Sequence, residues 1–427
     1  MTLLERSIAP QIHNIASLQF PSVERYLLDN GIEVVEVNQG TQDIVHIEVI
    51  YDAGRPVEDK QLASRITAAI QKEGTKSFSS EALAEKVDYY GSSINSGSNL
   101  DYSYFSVFVL SKFFNEVMPL FAEVLQEPTF PEGELKTHRE ITLEKLKSNM
   151  AKSDLVSYRK ITEEMYGSEH AYGYNSSEEN ILAIQRSDLI HHFTNYQSSD
   201  RCTIIVSGKI NENVRSIINA NLGQIKTTSS NKQFQPPTIP VHQAHHKIHS
   251  SQQHQTAIKI GRKMFNRSNK DFAPMFMLNT VLGGYFGSRL MESIRENLGY
   301  TYNIYSSLEP LVYDGYFTLN TEVSNELVDP TVAEIYNQIS ILQNEKISAR
   351  ELDMVRNYIM GNFLNMIDGP FRVANVMKTL SVSKMEVEEY EVIVDQIYNC
   401  TTTQIQDMAQ KYLQRKDMIE VMVGSNF

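Results

Sequence analysis

Tryptophan is absent from the 427 residues, and cysteine occurs twice, as Cys202 and Cys400. Two cysteines so far apart build no disulfide framework, so the chain is expected to be held by burial alone in a reducing, cytoplasmic setting. No apolar run of membrane-spanning length occurs. The N-terminal MTLLERSIAPQIHNIASLQF has neither an apolar centre nor a small-residue cleavage site, so no signal peptide and no membrane association are expected. Positive charge is in deficit: 39 Lys and Arg against 52 Asp and Glu leave −13, which argues against nucleic acid and anionic lipid as partners. Missing too, despite 11 histidines, is any H-E-x-x-H or H-x-x-E-H string. The helix-borne histidine pair of a zinc hydrolase has no counterpart here.

What is present suffices for a large core. Hydrophobic residues make up 41% and charged residues 21%, with 22 Tyr and 18 Phe in place of tryptophan. This length exceeds one core, so two domains are expected. Residues 1–20 read as an extended arm. Two apolar runs around Asn30-Gly31 signal a hairpin, and Asp43 to Tyr51 alternates as a third strand, with His46 a packed residue in it. Helices are expected over 61–72 and over 79–90, the latter stopped by Gly91. They are followed by a strand over 102–110, helices near 112–126, 133–152 and 187–196, and a strand from Cys202 to Val206. Residues 227–249, rich in Ser, Thr, Gln, Pro and His, read as a linker between a domain over 1–226 and one over 250–427. The histidine-rich run His242, His245, His246, His249 and His254 is read as solvated linker. The second half repeats the first: a strand over 255–260, helix 271–282, strand 315–323, helices near 327–343, 348–366, 386–398 and 402–414, and a strand over 418–423. GELKTHREITLEKLKSNM from Gly133 parallels RELDMVRNYIMGNFLNMI from Arg350, 217 residues on. A duplicated α+β unit follows: two homologous domains, each an antiparallel sheet with helices packed on one side, facing each other across a cavity.

The stretch LGGYFGSRLMESIRENLGYTYNIYS, from Leu282 to Ser306, is the most informative. It reads as a glycine loop, a short helix capped by Ser288 and ended by Gly299, and a strand of period two holding Tyr300, Tyr302 and Ile304. Leu290, Met291, Ile294 and Leu298 share the face expected to be buried, and Arg295 lies off it. Taken alone, Arg295 would be a solvated residue near Glu292, and Tyr302 a core residue. The GGYFGS loop fits no phosphate-binding pattern and reads as a tight turn of close backbone approach.

With Gly283-Gly284, Ser288-Arg289-Leu290, Arg295-Glu296, Gly299 and Tyr302, this stretch resembles the C-terminal half of the M16 (insulinase, pitrilysin-like) peptidases. The resemblance implies that Arg295 and Tyr302 hold peptide substrate, donating hydrogen bonds to a backbone carbonyl. It also implies an H-x-x-E-H zinc motif on an early helix, with a glutamate ligand on a later one. Anchored on Gly74-Thr75, the segment ASRITAAIQKEGT places Arg65, Ala68 and Ala69 at the His, Glu and His positions, and REITLEK places Lys145 at the third ligand. None of these can do the work: alanine has no lone pair, arginine stays protonated, and lysine would have to lose a proton. The chain thus resembles the non-catalytic member of a paired M16 peptidase, with no metal or cofactor and no catalytic residue of its own. The partner, a zinc-bearing M16-like subunit, is expected to supply the metal in a heterodimer. The alternative is a peptide-binding or scaffolding pseudoenzyme acting as a homodimer. His138 is read as a surface partner of Glu134 or Glu140, and His191 and His192 as structural.

Overall fold

The structure is a computed structural model that describes residues 19–227, 232–237, 239–250 and 254–427. The arm expected at 1–20 therefore lies, but for its last two residues, outside the described residues. The first half runs β1 (Glu24–Leu27), β2 (Glu33–Asn38), β3 (Ile44–Tyr51), α1 (Ala63–Ile70), α2 (Ser80–Tyr89), β4 (Ser93–Ser98), β5 (Ser103–Leu110), α3 (Phe114–Gln126), α4 (Glu132–Met150), α5 (Ser153–Tyr166), α6 (Glu178–Ala183), α7 (Arg186–Tyr196), β6 (Cys202–Gly208) and α8 (Glu212–Leu222). The second runs β7 (Ala244–His249), β8 (Gln255–Met264), α9 (Phe272–Gly283), a π-helical turn (Met291–Asn297), β9 (Ile304–Pro310), β10 (Gly315–Ser324), α10 (Val328–Asn344), α11 (Ala349–Met366), α12 (Pro370–Ser383), α13 (Val387–Tyr398), α14 (Thr402–Tyr412) and β11 (Ile419–Gly424).

The sheets have orders β1-β2-β6-β3-β5-β4 and β7-β11-β8-β10-β9. They correspond strand for strand once β1 is set aside. The α+β duplication is therefore present, with one refinement: each sheet carries a single parallel pair, β2 with β6 and β7 with β11, among antiparallel neighbours. The Asn30-Gly31 turn joins β1 and β2, with Gly31 at φ 82°. Ser79 caps α2 by accepting from the Ala82 amide, and Gly91 follows its end at φ 63°. The stretch read as linker is not all linker. Ala244–His249 forms β7, which holds the β11 edge much as β2 holds β6. Its histidines hide a period of two: His245 meets Glu420 at 3.1 Å on one face and His246 meets Glu164 at 3.3 Å on the other.

Helices pack on one side of each sheet as expected, and the opposite face of each is covered by a helix of the other half. Val45, Ile47, Val49 and Tyr51 of β3 face a core built with α3 of the same half. The opposite face of that sheet, with Val35, Val37, Ile50 and Ile205, packs against Val373, Met377 and Leu380 of α12, which belongs to the second half. Reciprocally, Ile161, Met165 and Tyr166 of α5 cover Ile419, Val421 and Val423 of the second sheet. Along this seam the halves meet directly rather than across a cavity. Two charges inside it are paired across the halves. Lys259 Nζ lies 2.7 Å from Asp154 of α5, and Lys378 Nζ of α12 lies 2.9 Å from Glu48 of β3.

Candidate functional site: a cleft beside a widened helix turn

The expected helix after the glycine loop is wider than an α-helix. Leu298 N–H donates to Ser293 O at 3.0 Å, five residues back, and Tyr300 N–H donates to Ile294 O. Such π turns recur at functional sites. Leu290, Met291 and Ile294 are buried as expected, but Leu298 is exposed. Ser288 does not cap: its hydroxyl is buried without a hydrogen-bond partner among the described residues, while its carbonyl accepts from Glu292 N–H. Gly299 takes φ 67° and ends the turn. The glycine loop is a close approach, as expected. A Cβ on Gly283 would lie 2.6 Å from the backbone nitrogen of Ser306 in β9. Gly283→Ala should therefore push β9 away and cost about 1–3 kcal/mol. Urea unfolding would measure this, and a wild-type midpoint would contradict it.

Tyr302 is not a core residue on a strand. β9 begins only at Ile304, because the Thr301 hydroxyl bonds to the carbonyls of Asn303 and Glu322 and diverts the backbone before it. The phenol is left 92% exposed, and no hydrogen-bond partner for it is found among the described residues. Arg295 does not pair with Glu292. Its guanidinium donates to Glu296 at 2.7 Å and rests 4.7 Å from the ring centre of Phe286, an exposed aromatic of the glycine loop. Arg295 and Tyr302 share one cleft of about 590 Å³, which Gln255, Glu296 and Glu322 also line. A second cavity of about 320 Å³ shares Tyr302 and Glu322 with it and is also lined by Asp154, Tyr305 and Asn320. Burial, and then the Asp154 charge, raise the Glu322 carboxyl, with Lys259 opposing. Two donors with free capacity at one cleft can hold a carbonyl oxygen. Gln255 and Glu322 are cleft residues that the sequence did not mark, since nothing in their spacing ties them to the arginine and tyrosine. Phe286 stood in the loop that was noticed, but nine residues from Arg295 and outside its helix it carried no spacing signal.

The early helix keeps its scaffold and lacks its chemistry. Leu62 precedes α1 at φ 74°, and the amides of Leu62 and Ser64 donate to the Glu58 carboxylate at 3.3 and 3.0 Å. Arg65 is exposed and Ala68 buried on α1; Ala69 follows on the same helix, and Lys145 is exposed on α4. Among the described residues, no three His, Cys, Asp or Glu side chains are grouped to hold a metal ion. The donor set at Arg65, Ala68, Ala69 and Lys145 does not fit zinc. His138 does not form the surface pair read for it. Burial, then the Arg65 and Lys145 charges, hold its imidazole below the usual range. His192 is structural, its Nε2 3.1 Å from the Ala53 carbonyl, while His191 meets Asp59 at 3.0 Å. His46 stacks on Phe108 at 4.0 Å. No helix among the described residues is long and apolar enough to cross a membrane.

Comparison with known proteins bears on both places. Residues 33–173 match the family described as insulinase (peptidase family M16), and residues 183–359 match the peptidase M16 inactive domain. The uncharacterized zinc protease YmxG of Bacillus subtilis is 23% identical over 346 residues, 80% of this chain and 84% of that protein. The non-peptidase homolog YmxG of Helicobacter pylori is 20% identical over 415 residues, 91% of this chain and 93% of that one. Among solved structures, a peptidase M16 inactive domain from Pseudomonas fluorescens superposes with a TM-score of 0.85 at 21% identity, covering 95% of this chain and 98% of that one. The periplasmic protease PqqL of Escherichia coli gives 0.77 at 16% identity, with 96% of this chain covering 48% of that one. With these matches across both halves, the repeated α+β unit and a metal position stripped of ligands, the chain belongs to the M16 (insulinase) peptidase family, in a form that lacks the zinc motif.

Proposed function

We propose that this chain is a non-catalytic M16 subunit that grips peptide and positions it for a zinc-bearing partner of the same family. The observation that carries this reading is the exposed Tyr302 side chain sharing a cleft with Arg295, in a chain whose described residues group no three side chains able to hold a metal. The guanidinium and the phenol donate to a peptide carbonyl; the partner brings the metal and the activated water. The similarity to a protein named a non-peptidase homolog supports the non-catalytic half of the proposal. The likeness to one half of a chain twice as long supports the two-subunit half.

The test mixes the purified chain with a zinc-bearing M16 chain from the same organism and follows cleavage of a fluorogenic peptide. Cleavage should rise on mixing, and the two chains should co-elute. Arg295→Ala should lower kcat/KM by about 10²-fold and Tyr302→Phe by about tenfold, as for donors to a developing oxyanion. Stimulation that survives both substitutions would favour the scaffolding alternative. Neither stimulation nor co-elution would end the proposal.

A further inference from the structure

The duplication supplies an internal comparison at the ends of α3 and α10. Gln126 and Gln343 each stand nine residues before the matched Leu135 and Leu352. Tyr196 and Tyr412 are the last residues of α7 and α14. In the second half a carboxamide seals the joint between these helices. Gln343 Nε2 donates to the carbonyls of Leu413 at 2.9 Å and Ala409 at 3.3 Å, and Gln410 donates back to the Gln343 carbonyl at 2.7 Å. Counted from the two tyrosines, the residues at those places in the first half are Gln197, Phe193 and Thr194. There Gln126 turns the other way, donating to the carbonyls of Asn221 on α8 at 2.9 Å and Ala122 at 3.3 Å. The seal is missing, and a cavity of about 210 Å³ lies at the joint, with Leu125, Gln126, Phe193, Gln197, Ser198 and Ile225 in its lining. Gln197 is 7% and Ser198 2% exposed, yet Gln197 Oε1 and Nε2 and Ser198 Oγ have no hydrogen-bond partner among the described residues. A buried donor and acceptor left unmet are costly, and three such atoms at one cavity ask for a ligand that meets them.

We infer that this cavity binds a small neutral molecule carrying a carboxamide or lactam edge on an apolar body. The ligand N–H donates to Gln197 Oε1, its carbonyl accepts from Gln197 Nε2, and the Ser198 hydroxyl serves either group. The group that closes the joint from within in the second half is thus supplied from outside in the first. Leu125, Phe193 and Ile225 take the apolar body. Glu127 and Lys226 also line the cavity with opposite charges, so the lining calls for no net charge on the ligand. The volume falls below the roughly 300–1,000 Å³ of sites for drug-sized ligands, which limits the ligand to about a single ring. The inference stands apart from the peptide-gripping reading, whose cleft shares no lining residue with this cavity.

Benzamide is the probe. The controls are N,N-dimethylbenzamide, which lacks the N–H, and benzoate, which lacks it and is charged. Binding of the 4-fluoro forms to the full chain is read by fluorine NMR line broadening. Benzamide should bind about five- to tenfold tighter than either control. Gln197→Leu keeps the bulk of the side chain and removes both amide atoms, so it should abolish the preference. Because the amide is unmet in the free chain, the same variant should unfold at a urea concentration no lower than wild type. A lower midpoint, the mark of a structural glutamine, counts against the inference. Equal binding of the three probes, or a benzamide preference that persists in Gln197→Leu, overturns it. Crystals of the wild-type chain soaked in 4-bromobenzamide give a readout independent of any variant. The bromine anomalous signal should appear beside Leu125 and Phe193, with the amide on Gln197. Bromine elsewhere, or ordered water alone on Gln197 and Ser198, overturns the inference as well.

Discussion

Lys378→Met should lower the unfolding free energy by about 3–5 kcal/mol, the cost of leaving a buried carboxylate without its cation. The carboxylate is Glu48, 4% exposed in the middle of the first sheet, and Lys378 is its ion-pair partner at 2.9 Å. The lysine arrives on α12, from the far half of the chain. Adding Glu48→Gln should recover most of the loss, because removing both charges removes the desolvation penalty along with the attraction. Urea unfolding of the two single variants and the double variant would decide this. A double variant no more stable than Lys378→Met would mean that the loss came from packing of the lysine stem.

Acidification should destabilise the fold well before its exposed carboxylates titrate. Burial pushes His46 and His192 down to about 4, with Lys378 adding to the effect at His46. The unfolded chain takes these protons near 6.5, so it binds more protons than the folded chain between the two values. The stabilisation is therefore complete above about pH 6.5 and is lost as pH falls towards 4. By then each histidine contributes a loss on the order of 3 kcal/mol. The atoms that would accept the proton explain the cost: Nδ1 of both rings is buried without a hydrogen-bond partner among the described residues. Glu58 and Asp101, raised by burial, act in the opposite sense. The comparison is therefore between wild type and a His46→Gln/His192→Gln variant. The variant should be less stable at pH 7.5 and should show a flatter decline to pH 4.5. Equal slopes would rule the histidines out.

Much of this was legible in the residues because the signals were local. Asn30-Gly31, the alternation of β3 and the repeated helix at Gly133 and Arg350 each carry their own evidence. The voided ligand positions were legible too, since a missing histidine needs no coordinates to be missed. Helices α5 and α12 were not anticipated, because the surface each one covers belongs to the other half of the chain and leaves no local cue. β7 was lost because its alternating residues are histidine and lysine, whose burial depends on Glu420 and Glu164 far away in sequence. Tyr302 was misplaced because a hydroxyl one residue before it captures the carbonyls that a strand would have used. The widened turn at Met291–Asn297 has no composition cue and moved Arg295 from Glu292 to Glu296.

The exchange of α5 and α12 between halves has a consequence for how the molecule comes apart. A single cut in the connector between α8 and β7 would sever the backbone without separating the pieces, because each fragment would keep a limb clasped by the other. Such a nicked molecule would run as two bands under denaturing conditions and as one particle otherwise. By the same logic, two intact copies could trade limbs during refolding at high concentration.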